Sequence, residues 1–289
     1  MAFNHFKYLV ITLSCFIGII MVADSWGETV PINFESDGFK IAGQFFPVDG
    51  EGPFPTVILL HGIPGGEGDL FGLGQQLNMV GVNAFTFNYR GTWKSEGVYL
   101  PSTSLEDVRS AIKYIKSPEM VTKFSIDTTK LSIIGYSYGG GMALLGAALE
   151  NSITNVVSMA GGDLRVVADF IEQYPEYRQA HRQFLDECMD DTSAVRGLGG
   201  ESSHEWLLEN RDKFDLKSNA ETLSKKRVLL LGGWDDFDIP VEDHILPLFR
   251  AIQKFSPEHL RIKVYDCNHS FEGAKDQLIN DIISWIKGA

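Results

Sequence analysis

The chain of 289 residues is 44% hydrophobic and 22% charged, an ordinary globular balance that speaks against intrinsic disorder. Its formal charge of −13 gives a field that repels phosphate backbones and anionic membrane surfaces, which argues against a nucleic-acid partner. The length suits one α/β domain around a single core.

Read in chain order, the N-terminus differs in kind from the rest. "MAFNHFK" precedes the apolar run from Tyr8 to Ala23, and Ala23-x-Ser25 supplies small residues at a cleavage position. This pattern predicts a secretory signal over 1–25 and an exported protein, with an uncleaved N-terminal anchor as the alternative. The run is only slightly shorter than the roughly 17 to 25 residues that span a bilayer. Beyond it lie Cys188 and Cys267, which in an oxidising compartment either pair or remain two separate buried thiols.

From Val30 onward strand-length apolar stretches alternate with helical patterns, the signature of a mostly parallel sheet with crossover helices. "VPINFES" and "KIAGQFFPV" flank Asp37-Gly38, a hairpin signal, so the domain is expected to open with an antiparallel ribbon. "PTVILLHG" predicts a strand, "DLFGLGQQLNMVG" a helix and "VNAFTFNYRG" the next strand. Leu105, Val108, Ala111, Ile112 and Ile115 recur at helical spacing in "STSLEDVRSAIKYIKS". "KLSIIGYS" is a buried strand running into the small-residue segment "YGGGMALLGAALE". After "TNVVSMAGGD" the alternation stops, and Leu164 to about Lys226 is polar and helical in period, broken at "VRGLGGESS". A segment of roughly 60 residues is too long for a plain loop and is expected to form an inserted helical cap. "SKKR" at Ser224–Arg227 is expected to be a solvated entry to the strand "RVLLLGG", after which come "VEDHILPLFRAIQ", "RIKVYDC" and a last amphipathic helix.

Within this frame Ser137 sits in "GYSYGG", where a strand turns directly into a helix and glycines two positions away on either side permit a crowded elbow. The amide of Tyr138 then starts the helix and points at charge developing on an attacked carbonyl oxygen. A serine needs a base and the base an orienting acid. His269, on the loop after "RIKVYDC", is the best-placed histidine; His181 and His204 fall in the cap, and His244 and His259 are expected at the solvent. "GGWDDFDIP" offers the acid: Asp236 is expected at the carboxyl end of its strand, ahead of Asp235 and Asp238. A second oxyanion donor is expected from Ile63 in "HGIPGG", because Pro64 has no N–H, and His61 is expected to brace that loop.

Together "HGIPGG", "NYRG", "GYSYGG", "GGWDDFDIP" and "CNHSF", from Val30 to the C-terminus, resemble the α/β-hydrolase superfamily in its order Ser, Asp, His. The resemblance implies an α/β-hydrolase fold over 26–289: a mostly parallel eight-stranded sheet with helices on both faces and a cap at about 164–226. It implies a serine hydrolase with catalytic Ser137, Asp236 and His269, an oxyanion hole at Ile63 and Tyr138, and no metal or cofactor. "SYGG" and "HGIPGG" are similar to prolyl oligopeptidase-like and proline iminopeptidase-like peptidases; the N-terminal ribbon and the cap resemble feruloyl esterases and lipase-like carboxylesterases. An ester substrate is the first expectation, a short peptide the second, and a non-catalytic binding protein on the same scaffold the third. "NYRGTWKS" departs from the family's Asp-x-Arg-Gly-x-Gly-x-Ser, with Asn88 for the acid and Trp93 for a glycine, and Trp93 is expected to wall the pocket.

Two weaker signals are set aside. "GGEGDLFGLG" lacks the third glycine of a dinucleotide fingerprint, and Glu67 and Asp69 would repel a pyrophosphate. "HEWLL" at His204 has leucine where a zinc helix needs its second histidine.

Overall fold

The computed structural model describes residues 29–65, 68–190 and 194–288; the expected leader lies outside them. Eight strands form one sheet: β1 (Val30–Ser36), β2 (Phe39–Phe46), β3 (Phe54–Leu60), β4 (Asn83–Phe87), β5 (Ile126–Tyr136), β6 (Ile153–Met159), β7 (Arg227–Gly233) and β8 (Leu260–Tyr265). Their order is β1-β2-β4-β3-β5-β6-β7-β8. β1 and β2 pair antiparallel across Asp37-Gly38, β2 pairs antiparallel with β4, and every later pair is parallel. The expected ribbon and crossovers are both present.

Buried strands on a two-sided sheet send alternate residues to opposite faces. Ile58, Leu60, Ile133, Val156 and Leu230 pack into one core with α2 (Pro101–Ile115), α4 (Tyr138–Leu149), α8 (Ala220–Ser224) and α9 (Leu246–Gln253). Val57, Leu59, Ile134, Val157, Leu229 and Leu231 pack into the other with α1 (Leu73–Met79) and α10 (Lys275–Lys287). α3 (Pro118–Phe124) joins α2 to β5, which starts at Ile126 rather than at Lys130 because Ile126 pairs with Phe54 ahead of a register shift. Between β6 and β7 the described residues form α5 (Leu164–Gln173), α6 (Pro175–Asp190), α7 (Gly200–Asn210), two 3-10 turns and α8. Ladder contacts from Val195 to Thr92 and from Gly197 to Tyr99 tie this connection to the loop after β4.

Several local expectations are corrected. "VEDHILPLFRAIQ" is not one helix: Val241–Ile245 forms a wide π-type turn before α9, since Pro247 has no N–H for a regular helical bond. On that turn His244 is buried, not solvated, and its Nδ1 accepts the Asp163 backbone N–H at 3.1 Å. Lys226 is likewise buried, its ammonium donating to the carbonyls of Ile153 at 2.6 Å and Glu150 at 3.3 Å behind α4. Asp69, set aside as a pyrophosphate-repelling charge, accepts the amides of Gly74 and Gln75 at the start of α1.

Candidate active site

The elbow is set by the backbone. Ser137 has φ 54° and ψ −121°, a conformation costly for any residue with a side chain. It is held by its N–H to Met159 O at 2.8 Å, while its carbonyl accepts from Gly140 N and Gly162 N. The flanking glycines are required by contact: an added Cβ at Gly135 would collide with Gly139 O, and one at Gly139 would lie 2.5 Å from His61 O. β5 and α4 therefore meet tightly against the end of β3, which leaves the Ser137 side chain clear of the sheet.

The other two side chains come from the ends of β7 and β8. His269 Nε2 lies 2.9 Å from Ser137 Oγ, and His269 Nδ1 lies 2.8 Å from Asp236 Oδ2. The Asp236 side chain is fully buried and that of His269 is 18% exposed. The second carboxylate oxygen of Asp236 accepts the amides of Asp238 and Ile239 at 3.0 and 2.8 Å, which fixes its rotation. Asp235 is exposed, and its amide donates to Cys267 O, so of the three acidic candidates Asp236 meets the histidine. Gly233 packs against the carbonyls of Cys267 and Asn268, locking the two loops together. Tyr136 donates its hydroxyl to His269 O at 3.2 Å; burial pushes that phenol up to about 12, so it stays a donor.

The loop after β3 borders the same space. An added Cβ at Gly62 would stand 3.1 Å from Ser137 Cβ, and Ile63 and Tyr138 both line the cavity that contains Ser137 and His269. His61 is buried, its Nδ1–H donating to Gly62 O at 2.6 Å, and burial holds its pKa down near 4. Trp93 also braces this loop, donating from Nε1 to Pro64 O at 3.2 Å; it does not face the cavity as the sequence suggested. Arg90 of "NYRG" is buried with Asp107 of α2, Nη2 to Oδ1 at 3.0 Å and backbone N–H to Oδ2 at 2.6 Å.

A cavity of about 440 Å³ opens over Ser137. Its far wall is the cap: Leu164 and Val167 from α5, Tyr177, His181 and Leu185 from α6, and His204 from α7. Sequence reasoning placed these residues in the cap without giving them a site. Tyr177, His181 and Leu185 at successive four-residue spacings were the available sign of one inward face. Cys188 and Cys267 are buried free thiols, so no bond ties the cap to the His269 loop. Asp236, Asp238 and His269 bring potential metal-ligand atoms within 4.8 Å, yet Asp236 and His269 already engage one another.

The sheet order and crossovers define an α/β-hydrolase fold, and comparison with known proteins agrees. A family model described as BD-FAE matches residues 45–176. The chain is similar to the uncharacterized protein YfhR of Salmonella typhimurium, 28% identical over 220 residues that cover 75% of this chain and 67% of that one. It is also 28% identical over 132 residues to the quorum-quenching protein AidA of Acinetobacter baumannii, covering 44% of this chain and 42% of AidA. Among solved structures, Est1E from Butyrivibrio proteoclasticus with ferulic acid bound superposes with a TM-score of 0.67 at 17% identity, covering 89% of this chain and 98% of that one. The Pyrococcus furiosus esterase Pf2001 does so at 0.64 and 17% identity, covering 90% of each chain. The chain has the α/β-hydrolase fold, shared with esterases and other hydrolases.

Proposed function

We propose that this protein is a serine hydrolase that cleaves carboxylic esters through an acyl-enzyme intermediate. The hydrogen-bonded series from Ser137 Oγ through the His269 ring to the buried Asp236 carboxylate carries the reading. His269 Nε2 takes the Ser137 proton as Oγ attacks the ester carbonyl, and Asp236 holds the ring in the tautomer with Nδ1 protonated. The amides of Ile63 and Tyr138 receive the charge that develops on the carbonyl oxygen. His269 returns its proton to the leaving alkoxide, then activates a water that releases the acyl group and restores Ser137.

An ester rather than a peptide is supported by the largely apolar cap wall and by the esterases among the structural relatives. Export through the N-terminal leader is proposed on the sequence alone.

Ser137→Ala tests the mechanism. It is expected to lower turnover of p-nitrophenyl esters by about 10³-fold or more and to abolish labelling by an organophosphonate. Turnover near the wild-type level would sink the assignment, and a preference for aminoacyl-p-nitroanilides over esters would move the reading to a peptidase.

A further inference from the structure

Beneath the cap, α6 and α7 bring two histidines together, with His181 Nδ1 lying 2.9 Å from His204 Nε2. Both border the cavity over Ser137. Burial is the main cause that depresses both, His181 to about 4, so the rings are neutral near pH 7. Two protons are then shared among four nitrogens, one of them between the rings.

The position of the other proton follows from burial. His204 is fully buried, and its Nδ1 has no hydrogen-bond partner among the described residues. An orphaned buried N–H is rarer and costlier than an under-used lone pair. His204 therefore donates through Nε2 and leaves Nδ1 bare, and His181, accepting at Nδ1, carries its own proton on Nε2. No group among the described residues accepts that N–H. The ring is held in place, lying near-parallel to Tyr177 at 5.7 Å and 13° and hydrogen-bonded edge to edge with His204 in nearly the same plane, 22° apart. Around it the cap wall is largely apolar, with Leu164, Val167 and Leu185, and the Ser203 hydroxyl on the same wall already donates to Leu198 O at 3.0 Å.

We propose that His181 determines specificity by donating from Nε2 to an uncharged acceptor oxygen (ether, carbonyl or phenol) on the part of the ester beneath the cap. This rests on the ester-hydrolase reading of the site and deepens it. A carboxylate suits the place poorly, because a neutral ring supplies one hydrogen bond and no charge, and Asp238 borders the same cavity. An all-carbon chain leaves the donor unpaired, and a site built to pair a polar group discriminates against a partner lacking it.

The test uses p-nitrophenyl alkanoates and isosteres in which one methylene is replaced by an ether oxygen at successive positions. At one position the oxygen is expected to raise kcat/KM about five-fold over the all-carbon ester, the worth of one neutral hydrogen bond. In His181→Leu the ratio should fall below one, since the oxygen then enters an apolar wall unpaired. His181→Gln, which keeps an amide donor, should retain part of the preference, and His181→Phe replaces the leucine variant if that one folds poorly. Hydrolysis without a favoured oxygen position, or with the same preference in His181→Leu, overturns the inference and leaves the ester-hydrolase reading standing. Calorimetric binding of the same ester pairs to Ser137→Ala reads the preference without turnover. Tighter binding of the ether isostere there, lost on adding His181→Leu, sustains the donor even if the wild-type protein hydrolyses no ester.

Discussion

The sheet end that carries Ser137, Asp236 and His269 and the cap that covers it are specified by different means. At the sheet end, main-chain contact fixes position: Gly135 against Gly139, Gly139 against His61, and Gly233 against Cys267. Across the cap, charged side chains on helix surfaces meet one another: Arg165 with Asp169 and Asp212, Arg178 with Glu201, and Arg211 with Glu172. Main-chain contacts tolerate almost no change, whereas partly exposed ion pairs exchange partners at little cost. On the proposed function, reaction chemistry would reside in the rigid part and the choice of substrate in the part free to vary.

The contrast breaks most visibly at Asp236. Asp236→Asn keeps the side chain's shape, but an amide nitrogen placed at the Oδ2 position turns His269 to the wrong tautomer, and turnover is expected to fall about 10⁴-fold. Asp235→Asn, one residue earlier and exposed, should leave steady-state rates within about two-fold. Equal losses in the two variants would mean that the acid is not fixed by the backbone turn.

Second in size is Gly139→Ala. Its Cβ would press on the Leu60 and His61 carbonyls, neither of which can yield, so a loss of about 3 kcal/mol in urea unfolding is expected. Gly199→Ala, at the start of α7 in the cap, meets nothing nearer than Asp186 Oδ1 at 3.5 Å and should cost under about 1 kcal/mol. Similar midpoints for the two would remove the distinction between the regions.

The same distinction governs what the sequence made legible. Strand-end motifs stood out because the elbow at Ser137, the turn at Asp236 and the loop at His269 each need particular residue types beside an apolar run. Asp236 was favoured over Asp235 by its spacing from Gly233 and Pro240, although a one-residue shift at the strand end would have exchanged the two. The misread residues are those whose partners lie far along the chain. Lys226 answers carbonyls of Glu150 and Ile153, His244 answers the amide of Asp163, and Trp93 answers Pro64. No local pattern encodes such pairings. Nothing in the amphipathic pattern of α2 marks Asp107 as the partner of the buried Arg90. The inward face of α6 stayed hidden because its mean polarity is high and only Tyr177, His181 and Leu185 mark it.

Acid should separate the regions next. Burial depresses His61, His181 and His244 each to about 4, and lowers His204 as well. An unfolded chain binds protons on these rings near pH 6.5 while the folded chain does not, so stability falls as pH drops from about 6.5 to about 4. Asp163, raised to about 6 by burial, works the other way: the folded form binds its proton first, which offsets part of the loss. His61 and His244 sit on loops at the sheet end, which main-chain contacts hold, whereas His181 and His204 lie on cap helices joined largely by partly exposed ion pairs. Hydrogen exchange at pH 5 should therefore show α6 and α7 losing protection before β5 and β6, and simultaneous loss would place the acid sensitivity in the sheet.

The smallest effect is expected at Asp169 of α5, which pairs with Arg165 one turn earlier on the same helix at 3.0 Å and with Arg211 at 3.6 Å. These side chains are about a third exposed, so water screens the attraction, and holding long side chains in one geometry costs entropy. Asp169→Asn should shift stability by only about 0.5 kcal/mol, with the difference shrinking further at high salt as the Debye length contracts. Urea midpoints at low and high ionic strength check this. A loss above about 1.5 kcal/mol that salt leaves unchanged would mean that the cap's ion pairs behave as a buried network. The cap would then be as firmly specified as the sheet end, and its freedom to change substrate would have to lie in the cavity-facing side chains alone.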